Sequence, residues 1–391
     1  MKPDFKQEAT ALYDEMVERR RDFHRHPELG FQETRTASIV AHTLDTLGLE
    51  VQRGLAQTGV VGMLEGAKPG PTILLRFDMD ALPIQEENNV PYASRNPGVM
   101  HACGHDGHTA MGLALAKIMS QYQAEMAGRI KFLFQPAEEG LGGAFAMMAA
   151  GVLENPKPDV AFAMHLWNAS PYGKVRVVEG PCMAASSVFS ITVQGHGGHG
   201  AAPHQAVDPI LAAAHIVVAL QSIVSRNINP QDSVVVSVGQ ISAGTTFNVI
   251  PDRALLKGTV RSYNEKLHRQ IYRRILEMAT NMATAFSCEA RMETIAIVSA
   301  VVNAEEPTEV VKTAAAKVMG EENIVEHRTM ASEDMGYILE EIPGCYFFVG
   351  SSNEEKGLVS PHHHARFDFD ERAMIDGVAI MAEAAAHYLL K

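Results

Sequence analysis

Thr72-Ile-Leu-Leu-Arg-Phe-Asp-Met-Asp80 begins with an apolar run, typical of a buried strand, and ends in acidic residues. The pattern returns at Ile130-Lys-Phe-Leu-Phe134, which leads into Gln135-Pro-Ala-Glu-Glu139, and at Val160-Ala-Phe-Ala-Met164, which leads into His165. The residues between these runs have the three-to-four-residue apolar period of helices. Strands that alternate with helices predict an α/β fold, with a mostly parallel sheet that is flanked by helices.

The middle third of the chain has a different pattern. Strands and helices are predicted there in the order βαββαβ, which is typical of a ferredoxin-like α+β unit: 188–194, 206–225, 234–241, 253–263, 265–286 and 288–297. A chain of 391 residues is also long enough for two domains. We therefore expect a main domain built from residues 1–182 and 295–391, interrupted by a smaller inserted domain at residues 183–294.

The composition argues against several classes of protein. The formal net charge is −13 and no concentrated Lys/Arg patch is present, which argues against a nucleic-acid partner. We expect no stretch to run long enough without charges to span a bilayer, and therefore no membrane partner. The four cysteines, Cys103, Cys182, Cys288 and Cys345, form no CxxC pair, which is typical of a reducing cytoplasm.

Side chains that bind metal ions follow the predicted strands. Ligands of doubly wound sheets gather beyond the carboxyl ends of the strands, so Asp80, the pair Glu138 and Glu139, and His165 should lie close together. A further histidine cluster occurs at Ser360-Pro-His-His-His364. Together with Cys103, these residues offer thiolate, imidazole and carboxylate donors, the mixture that zinc, manganese, cobalt or nickel prefers.

Cys103 and His105 stand two residues apart just before a predicted helix. In an extended backbone their side chains project to the same side, and a thiol beside a divalent cation loses its proton. The alternative is a buried cysteine that acts as a small apolar residue. The neighbouring His101, Asp106 and His108 argue against that alternative, because an apolar pocket would not be lined by such groups.

The adjacent carboxylates Glu138 and Glu139 suit a hydrolase whose metal ions hold a water molecule. One of them would bind metal, and its neighbour would remove a proton from the water and return it to the leaving amine. Asp80 would orient a ligand or the catalytic carboxylate. The alternative is a pair of solvated surface carboxylates. Neither a Gly-x-Ser-x-Gly nor a His-Glu-x-x-His motif is present, so the serine hydrolase and zincin mechanisms lose support.

Five motifs resemble the aminoacylase, hippurate hydrolase and auxin-conjugate amidohydrolase family, which is related to the co-catalytic carboxypeptidases. They are His24-Arg-His-Pro-Glu-Leu-Gly-Phe-Gln-Glu33, Arg76-Phe-Asp-Met-Asp-Ala-Leu-Pro83, Met100-His-Ala-Cys-Gly-His-Asp-Gly-His-Thr109, Gln135-Pro-Ala-Glu-Glu-Gly140 and Arg366-Phe-Asp-Phe369. The resemblance covers essentially the whole chain. This sequence departs from the carboxypeptidases at Asp78-Met-Asp80, where the carboxypeptidases have a His-x-Asp motif.

The resemblance implies a catalytic main domain with two divalent metal ions (Zn, Mn, Co or Ni). The implied ligands are Cys103, as the bridging group, with His105, Glu139, His165 and His363. It also implies that Glu138 is the general acid/base. Within the histidine run, the family pattern places the ligand four residues before the aromatic residue Phe367, which selects His363. His362 and His364 are then expected to be solvated or to support the ligands.

The resemblance also assigns roles within the inserted domain. His199, in the glycine-rich stretch Gly195-His-Gly-Gly-His-Gly200, would reach the developing oxyanion, in its own subunit or in a partner's. The alternative is a loop histidine that is bonded to backbone. Asn248 and Arg261 would hold the carboxylate of the substrate, a task that suits the two-pronged guanidinium group. The resemblance further implies that the chain can form a homo-oligomer through this domain.

Three functions remain open at this point. The first is a metal-dependent amidohydrolase that cleaves N-acyl-L-amino acids, such as hippurate or N-acetyl-amino acids, to a carboxylic acid and a free amino acid. The second is a dipeptidase or carboxypeptidase that uses the same binuclear site. The third is a metal-containing scaffold without catalysis, which the presence of Glu138, Asp80 and every ligand disfavours.

Overall fold

A computed structural model describes residues 3–390 of the chain, apart from the side chain of Ala296. The chain forms two compact units. The first, called unit 1 below, consists of Met1–Cys182, Val302–Arg328 and Asp334–Lys391. The second, unit 2, consists of Met183–Val301 and Thr329–Glu333. The inserted unit thus ends at Val301 and not at the predicted residue 294, because its last strand continues past that position. It also includes a short later segment near Ser332.

Helices and strands alternate through most of the described chain. The helices are α1 (Phe5–Ala11), α2 (Tyr13–Arg25), α3 (Thr34–Thr46), α4 (His105–Ser120), α5 (Gly143–Ala149), α6 (Pro209–Ser222), α7 (Glu265–Ala285), α8 (Glu305–Met319), α9 (Met335–Glu341) and α10 (Ala373–Leu389). The strands are β1 (Glu50–Leu55), β2 (Gly59–Glu65), β3 (Lys68–Asp78), β4 (Ala127–Gln135), β5 (Val160–Pro171), β6 (Val175–Arg176), β7 (Gly180–Met183), β8 (Ala185–Gln194), β9 (Gly198–His199), β10 (Val234–Ala243), β11 (Val249–Ile250), β12 (Arg253–Ser262), β13 (Glu289–Val298), β14 (Val301–Asn303), β15 (Ile324–Val325) and β16 (Gly344–Ser352).

Unit 1 is built on an eight-stranded sheet in the order β1-β2-β4-β3-β5-β16-β6-β15. Its central strands β4, β3, β5 and β16 are parallel, and β1 and β2 add antiparallel pairs at one edge. Seven consecutive residues of β3, from Thr72 to Asp78, are buried, as expected of a strand that is covered on both faces. This arrangement confirms the predicted mostly parallel sheet flanked by helices.

The register brings the ends of neighbouring strands to one edge of this sheet. Asp78, the last residue of β3, pairs with Gln135, the last residue of β4, so Asp80 and the pair Glu138 and Glu139 emerge side by side. His165 is placed differently from the prediction. It lies within β5, which continues to Pro171 because it pairs with β16 well beyond residue 164.

Unit 2 has the predicted βαββαβ order, with an antiparallel sheet β10-β12-β8-β13. Alternate residues of β8, namely Phe189, Ile191 and Val193, are buried in a separate apolar core. Helices α6 and α7 contribute the other side of that core through residues such as Ile216 and Ile275. One face of the sheet therefore packs on the two helices, which confirms the ferredoxin-like unit.

One helical stretch among the described residues, Pro209–Asn227, is long and apolar enough to cross a membrane, judged by length and composition. The sequence expectation that no stretch meets this test was therefore wrong. Within unit 2, Ala212, Ile216 and Leu220 of this stretch are buried in the apolar core. Core helices meet the same criterion, so the finding is weak support for a membrane span.

Candidate metal centre

Cys103 and His105 reach the same site because of the turn at Gly104, and not through an extended backbone as predicted. Helix α4 begins at His105, and Gly104 has the left-handed φ of 94°. A residue with a Cβ rarely adopts this conformation, so glycine is favoured here. Both side chains that flank it are buried, with exposed fractions of 8% for Cys103 and 0% for His105.

Two histidines are held so that each directs one ring nitrogen into the site. The Nδ1 of His105 donates to the main-chain oxygen of Asp80 (2.9 Å), and the Nδ1 of His165 donates to the oxygen of Leu166 (2.6 Å). The Nε2 atoms therefore carry no proton in the neutral rings and can bind a cation. The Nε2 of His165 is 3.5 Å from the Sγ of Cys103. The Nε2 of His105 is buried and makes no hydrogen bond to any described residue.

The turn after β4 carries the two glutamates. Residues beyond Gln135 leave the sheet at Pro136, which cannot donate to a strand partner. The backbone N–H of Glu139 donates to the Oδ2 of Asp80 (3.0 Å), while the Oδ1 of the same aspartate is 3.3 Å from the Nδ1 of His105. Asp80 is buried and contacts both a predicted ligand and the glutamate turn, as its predicted orienting role requires.

The histidine run 362–364 is divided by the fold. His363 has a left-handed φ of 63°, its N–H donates to the oxygen of Ala102 (2.8 Å), and its Nε2 is 3.3 Å from the Oε1 of Glu139. His362 instead donates to the oxygen of Leu166 (2.9 Å) and stacks on the Trp167 ring. It is therefore half-buried, and this burial lowers its pKa to about 4.

All five predicted ligands and Glu138 converge. Among these six residues, donor atoms within 4.8 Å of one another form three groups, namely Cys103 with His105 and His165, Cys103 with Glu139 and His363, and His105 with Glu138 and Glu139. Cys103 belongs to two of these groups, which is the position of a bridging ligand. The mixture of sulfur, imidazole nitrogen and carboxylate oxygen suits a borderline-soft divalent cation. The residues present therefore fit a pair of metal ions.

Without a bound cation, the surroundings of this cluster favour the protonated form of some of its groups. Burial raises the pKa of the Cys103 thiol well above its ordinary value, and the neighbouring Glu139 raises it further. Burial would lower the pKa of His105, but Asp78 and Asp80 outweigh it and raise that pKa to about 10. Burial lowers the pKa of His165. A bound cation would reverse the preference of the thiol, because it stabilises the thiolate directly.

His108 lies beside the cluster but its two ring nitrogens are already engaged. The N–H of Leu166 donates to its Nε2 (2.9 Å), so that nitrogen carries no proton. The Nδ1 therefore holds the proton and donates to the Oδ1 of Asp78 (2.6 Å). His108 thus supports the strand ends around the site, although its spacing in the sequence resembles that of His105. Nearby His101 is buried, and burial lowers its pKa to about 4.

A buried ionic network under the site was missed by the sequence analysis. The Arg76 guanidinium donates to the Oδ2 of Asp78 (2.5 Å), the Oε1 of Gln135 (2.9 Å) and the Oδ1 of Asp334 (3.0 Å). Asp334 also accepts from the Gln135 amide and from the N–H of Ala144. The available signal was a single arginine within an apolar strand, since a buried charge needs partners.

The predicted substrate residues all lie in unit 2. His199, in β9, pairs with Val249 of β11, is exposed, and accepts from the N–H of Ala201 (3.0 Å) through its Nδ1. Asn248 is beside it, since its oxygen accepts from the N–H of Gly200 (2.8 Å). Arg261, in β12, is half-buried and donates to the Oγ of Ser332 (2.6 Å). The structure brings His199 and Asn248 together, and the roles of all three remain predictions.

The chain is similar to known proteins over nearly its full length. The model of the family described as "Peptidase family M20/M25/M40" matches residues 74–387. The hippurate hydrolase of Campylobacter jejuni is 39% identical over 387 residues, with 98% of each chain covered. Thermostable carboxypeptidase 2 of Saccharolobus solfataricus is 39% identical over 392 residues, which cover 98% of this chain and 96% of the relative.

A solved structure supports the same assignment. The YXEP protein of Bacillus subtilis, described as a dinuclear metal binding peptidase from the M20 family, superposes with a TM-score of 0.83 at 33% identity, covering 97% of this chain and 98% of that one. The family match, the relatives and the converging donors agree on the resemblance that the motifs indicated. This chain therefore belongs to peptidase family M20/M25/M40, a family of hydrolases that act on amide bonds.

Proposed function

We propose that this protein hydrolyses the amide bond of N-acyl-L-amino acids, of the hippurate or N-acetyl-amino acid kind, to a carboxylic acid and a free amino acid. The single observation that carries the proposal is the position of Glu138. A donor oxygen of this carboxylate lies within 4.8 Å of ligand atoms of both His105 and Glu139, so a proton acceptor stands beside the cation-binding cluster. The hippurate hydrolase relative supports the choice of substrate class.

The residues of this chain would move one proton during turnover. Glu138 takes a proton from the attacking water, whose oxygen forms a bond to the acyl carbon. The C–N bond then breaks, and Glu138 returns the proton to the leaving amine. Cys103, His105, Glu139, His165 and His363 would hold two cations, zinc, manganese, cobalt or nickel, which supply Lewis acidity when bound.

Unit 2 would bind the amino-acid part of the substrate. Arg261 has a guanidinium that can grip a carboxylate with two hydrogen bonds, and its half-buried position would strengthen that contact. Asn248 would add a neutral donor for the same carboxylate. His199 would donate to the oxygen that becomes negatively charged, in its own subunit or in that of a homo-oligomer formed through unit 2. A cytoplasmic location fits the four buried, free cysteines.

Purified protein loaded with each of the four metals in turn should release free amino acid from hippurate or an N-acetyl-amino acid. Glu138→Gln should keep its metal, measured by elemental analysis, while kcat falls by at least about a hundredfold. Exposed Glu355→Gln is the matched control and should retain full activity. A wild-type protein that is inactive on the whole panel with every metal would refute the proposal.

A dipeptidase or carboxypeptidase that uses the same site is the second candidate, because a carboxypeptidase is among the relatives of equal identity. The two functions differ in what occupies the acyl side of the scissile bond. A panel that pairs each N-acetyl-amino acid with the glycyl dipeptide of the same amino acid separates them. Higher kcat/KM on the dipeptides would establish the peptidase instead.

A further inference from the structure

The catalytic glutamate follows a residue in an unfavourable backbone conformation. Ala137 has a φ of 56°, in the left-handed region that residues with a Cβ rarely occupy, and it is fully buried between Pro136 and Glu138. Such a conformation persists only where surrounding groups enforce it. The direction in which Glu138 leaves the chain depends on this turn, so whatever enforces it also positions the proton acceptor.

One group that contacts this turn is the carboxylate of Glu33, the last residue of the N-terminal motif that begins at His24. The Oε1 of Glu33 accepts from the N–H of Ala137 (2.9 Å), and its Oε2 accepts from the Thr58 hydroxyl (2.5 Å). Glu33 is fully buried, and burial raises its pKa. Burial of a carboxylate costs free energy unless hydrogen bonds compensate for the lost water, so the bonds from Ala137 and Thr58 are needed to keep Glu33 in this position.

Packing on the other side of Ala137 supports the same geometry. A Cβ on Gly30 would lie 3.0 Å from both the Cα and the Cβ of Ala137, so only glycine allows this close approach. The oxygen of Ala137 accepts from the N–H of Gly143 (3.0 Å). The segment around Gly30 is itself attached to the segment that follows β3, because the N–H of Ala81 donates to the oxygen of Glu28 (2.8 Å).

Two carboxylates therefore hold the glutamate turn at successive points. Glu33 binds the N–H that precedes Glu138, and Asp80 binds the N–H of Glu139, which follows it. We propose that Glu33 is a positioning residue, which fixes Ala137 in its left-handed conformation and thereby aims Glu138 at the reacting water. Glu33 does not touch substrate or metal in this assignment, which rests on the proposed function of Glu138.

The test compares Glu33→Ala and Glu33→Gln with a control in the same segment. Glu33→Ala should lower kcat by about a hundredfold while KM and metal content stay within about twofold, because a displaced proton acceptor affects the chemical step. Glu33→Gln should regain most of the activity, since its amide oxygen can accept from Ala137 and its amide nitrogen can donate to Thr58. A residue needed only for folding would not produce this separation of kcat from KM.

Glu28→Ala is the matched control. The Glu28 carboxylate accepts from the N–H groups of Arg35 (2.9 Å) and Thr36 (2.8 Å) at the start of α3, so its removal should lower stability and leave kcat within about twofold. If Glu33→Ala does not fold, Glu33→Asp replaces it, because the shorter side chain keeps the charge but cannot reach Ala137. Equal kcat in wild type and the tested Glu33 variant would overturn the proposal.

A second readout does not depend on activity. Hydrogen–deuterium exchange of metal-free protein should show faster exchange in the peptide that covers residues 136–143 for Glu33→Ala, and unchanged exchange there for Glu28→Ala. Unchanged protection in Glu33→Ala would overturn the positioning role. If the wild type cleaves no acyl-amino acid, the proposed function fails, and exchange alone then decides whether Glu33 holds the turn.

Discussion

Replacement of Arg20 by methionine should destabilise unit 1 strongly. The Arg20 side chain is completely buried, and its guanidinium donates to the carboxylates of Asp106 (2.8 Å), Asp368 (2.8 Å) and Glu371 (3.2 Å). It therefore connects α2 to the first turn of α4, which carries His105, and to the segment that precedes α10. Methionine has a similar length without the charge, so the variant leaves three carboxylates without this cation.

The expected loss is smaller than the sum of three separate bonds. Three charge-assisted hydrogen bonds would be worth about 5 to 9 kcal/mol. Each carboxylate keeps another partner, however: Asp106 keeps His24, Glu371 keeps Arg21, and Asp368 keeps the Tyr92 hydroxyl. Removal of one member of a buried ion pair costs about 3 to 5 kcal/mol. We therefore expect the free energy of unfolding to fall by about 4 kcal/mol at pH 7.

Urea unfolding followed by tryptophan fluorescence measures this loss, since the single tryptophan, Trp167, lies in unit 1. Arg19→Met is the control on the same helix and should change stability by less than about 1 kcal/mol, because Arg19 makes one long bond (3.4 Å) at a partly buried position. Burial would raise the pKa of Asp106, but Arg20 and His24 outweigh it and hold that pKa well below its usual range. The stabilisation from the Arg20–Asp106 pair is therefore present above the unfolded pKa of about 4 and is lost below it, so the difference from wild type should shrink as the pH falls below about 4. A loss equal to that of the control, or one independent of pH, would refute the reasoning.

Two further variants test buried charges in unit 1. The Nζ of Lys131 donates to three main-chain oxygens, those of Val152, Glu154 and Pro156. Lys131→Met should therefore lower the free energy of unfolding, measured in a urea titration, by about 3 kcal/mol. Lys157→Met, at an exposed position, is the control and should leave it unchanged. Asp370→Asn should cost about 2 kcal/mol at pH 7. Burial would raise the pKa of Asp370, but hydrogen bonds from Arg372, Asn353 and Lys356 outweigh it and hold that pKa well below its usual range. The stabilisation is therefore present above the unfolded pKa of about 4 and is lost as the pH falls below it, so stability curves of wild type and variant should converge in acid. Curves that stay parallel would contradict this explanation.

The sequence alone determined the fold class and the kinds of donor atom at the site. Apolar periodicity is a local property, so the alternation of strands and helices and the βαββαβ order could be predicted without knowledge of distant contacts. The carboxyl ends of parallel strands meet at one edge, and this rule was enough to bring Asp80 and Glu138 together. Motif resemblance then supplied the ligands, including the choice of His363 among three adjacent histidines.

Only the tertiary structure decided which groups hold these residues in place. Arg20, Glu33 and Arg76 find their partners 86, 104 and 258 positions away in the chain, at Asp106, Ala137 and Asp334. The local periodicity of apolar residues does not predict such pairs, because the partner of a buried charge is whichever polar group the fold brings within hydrogen-bond distance.

The exact ends of helices and strands were also decided by the surrounding structure. His165 lies inside β5 because β16 continues beside it, and His105 begins α4 because Gly104 turns the chain. Strand length depends on the neighbouring strand, and the start of a helix depends on the conformation of the residue before it. The sequence therefore specifies which elements form and which donors they carry, whereas packing between distant segments decides where each element ends and where each side chain points.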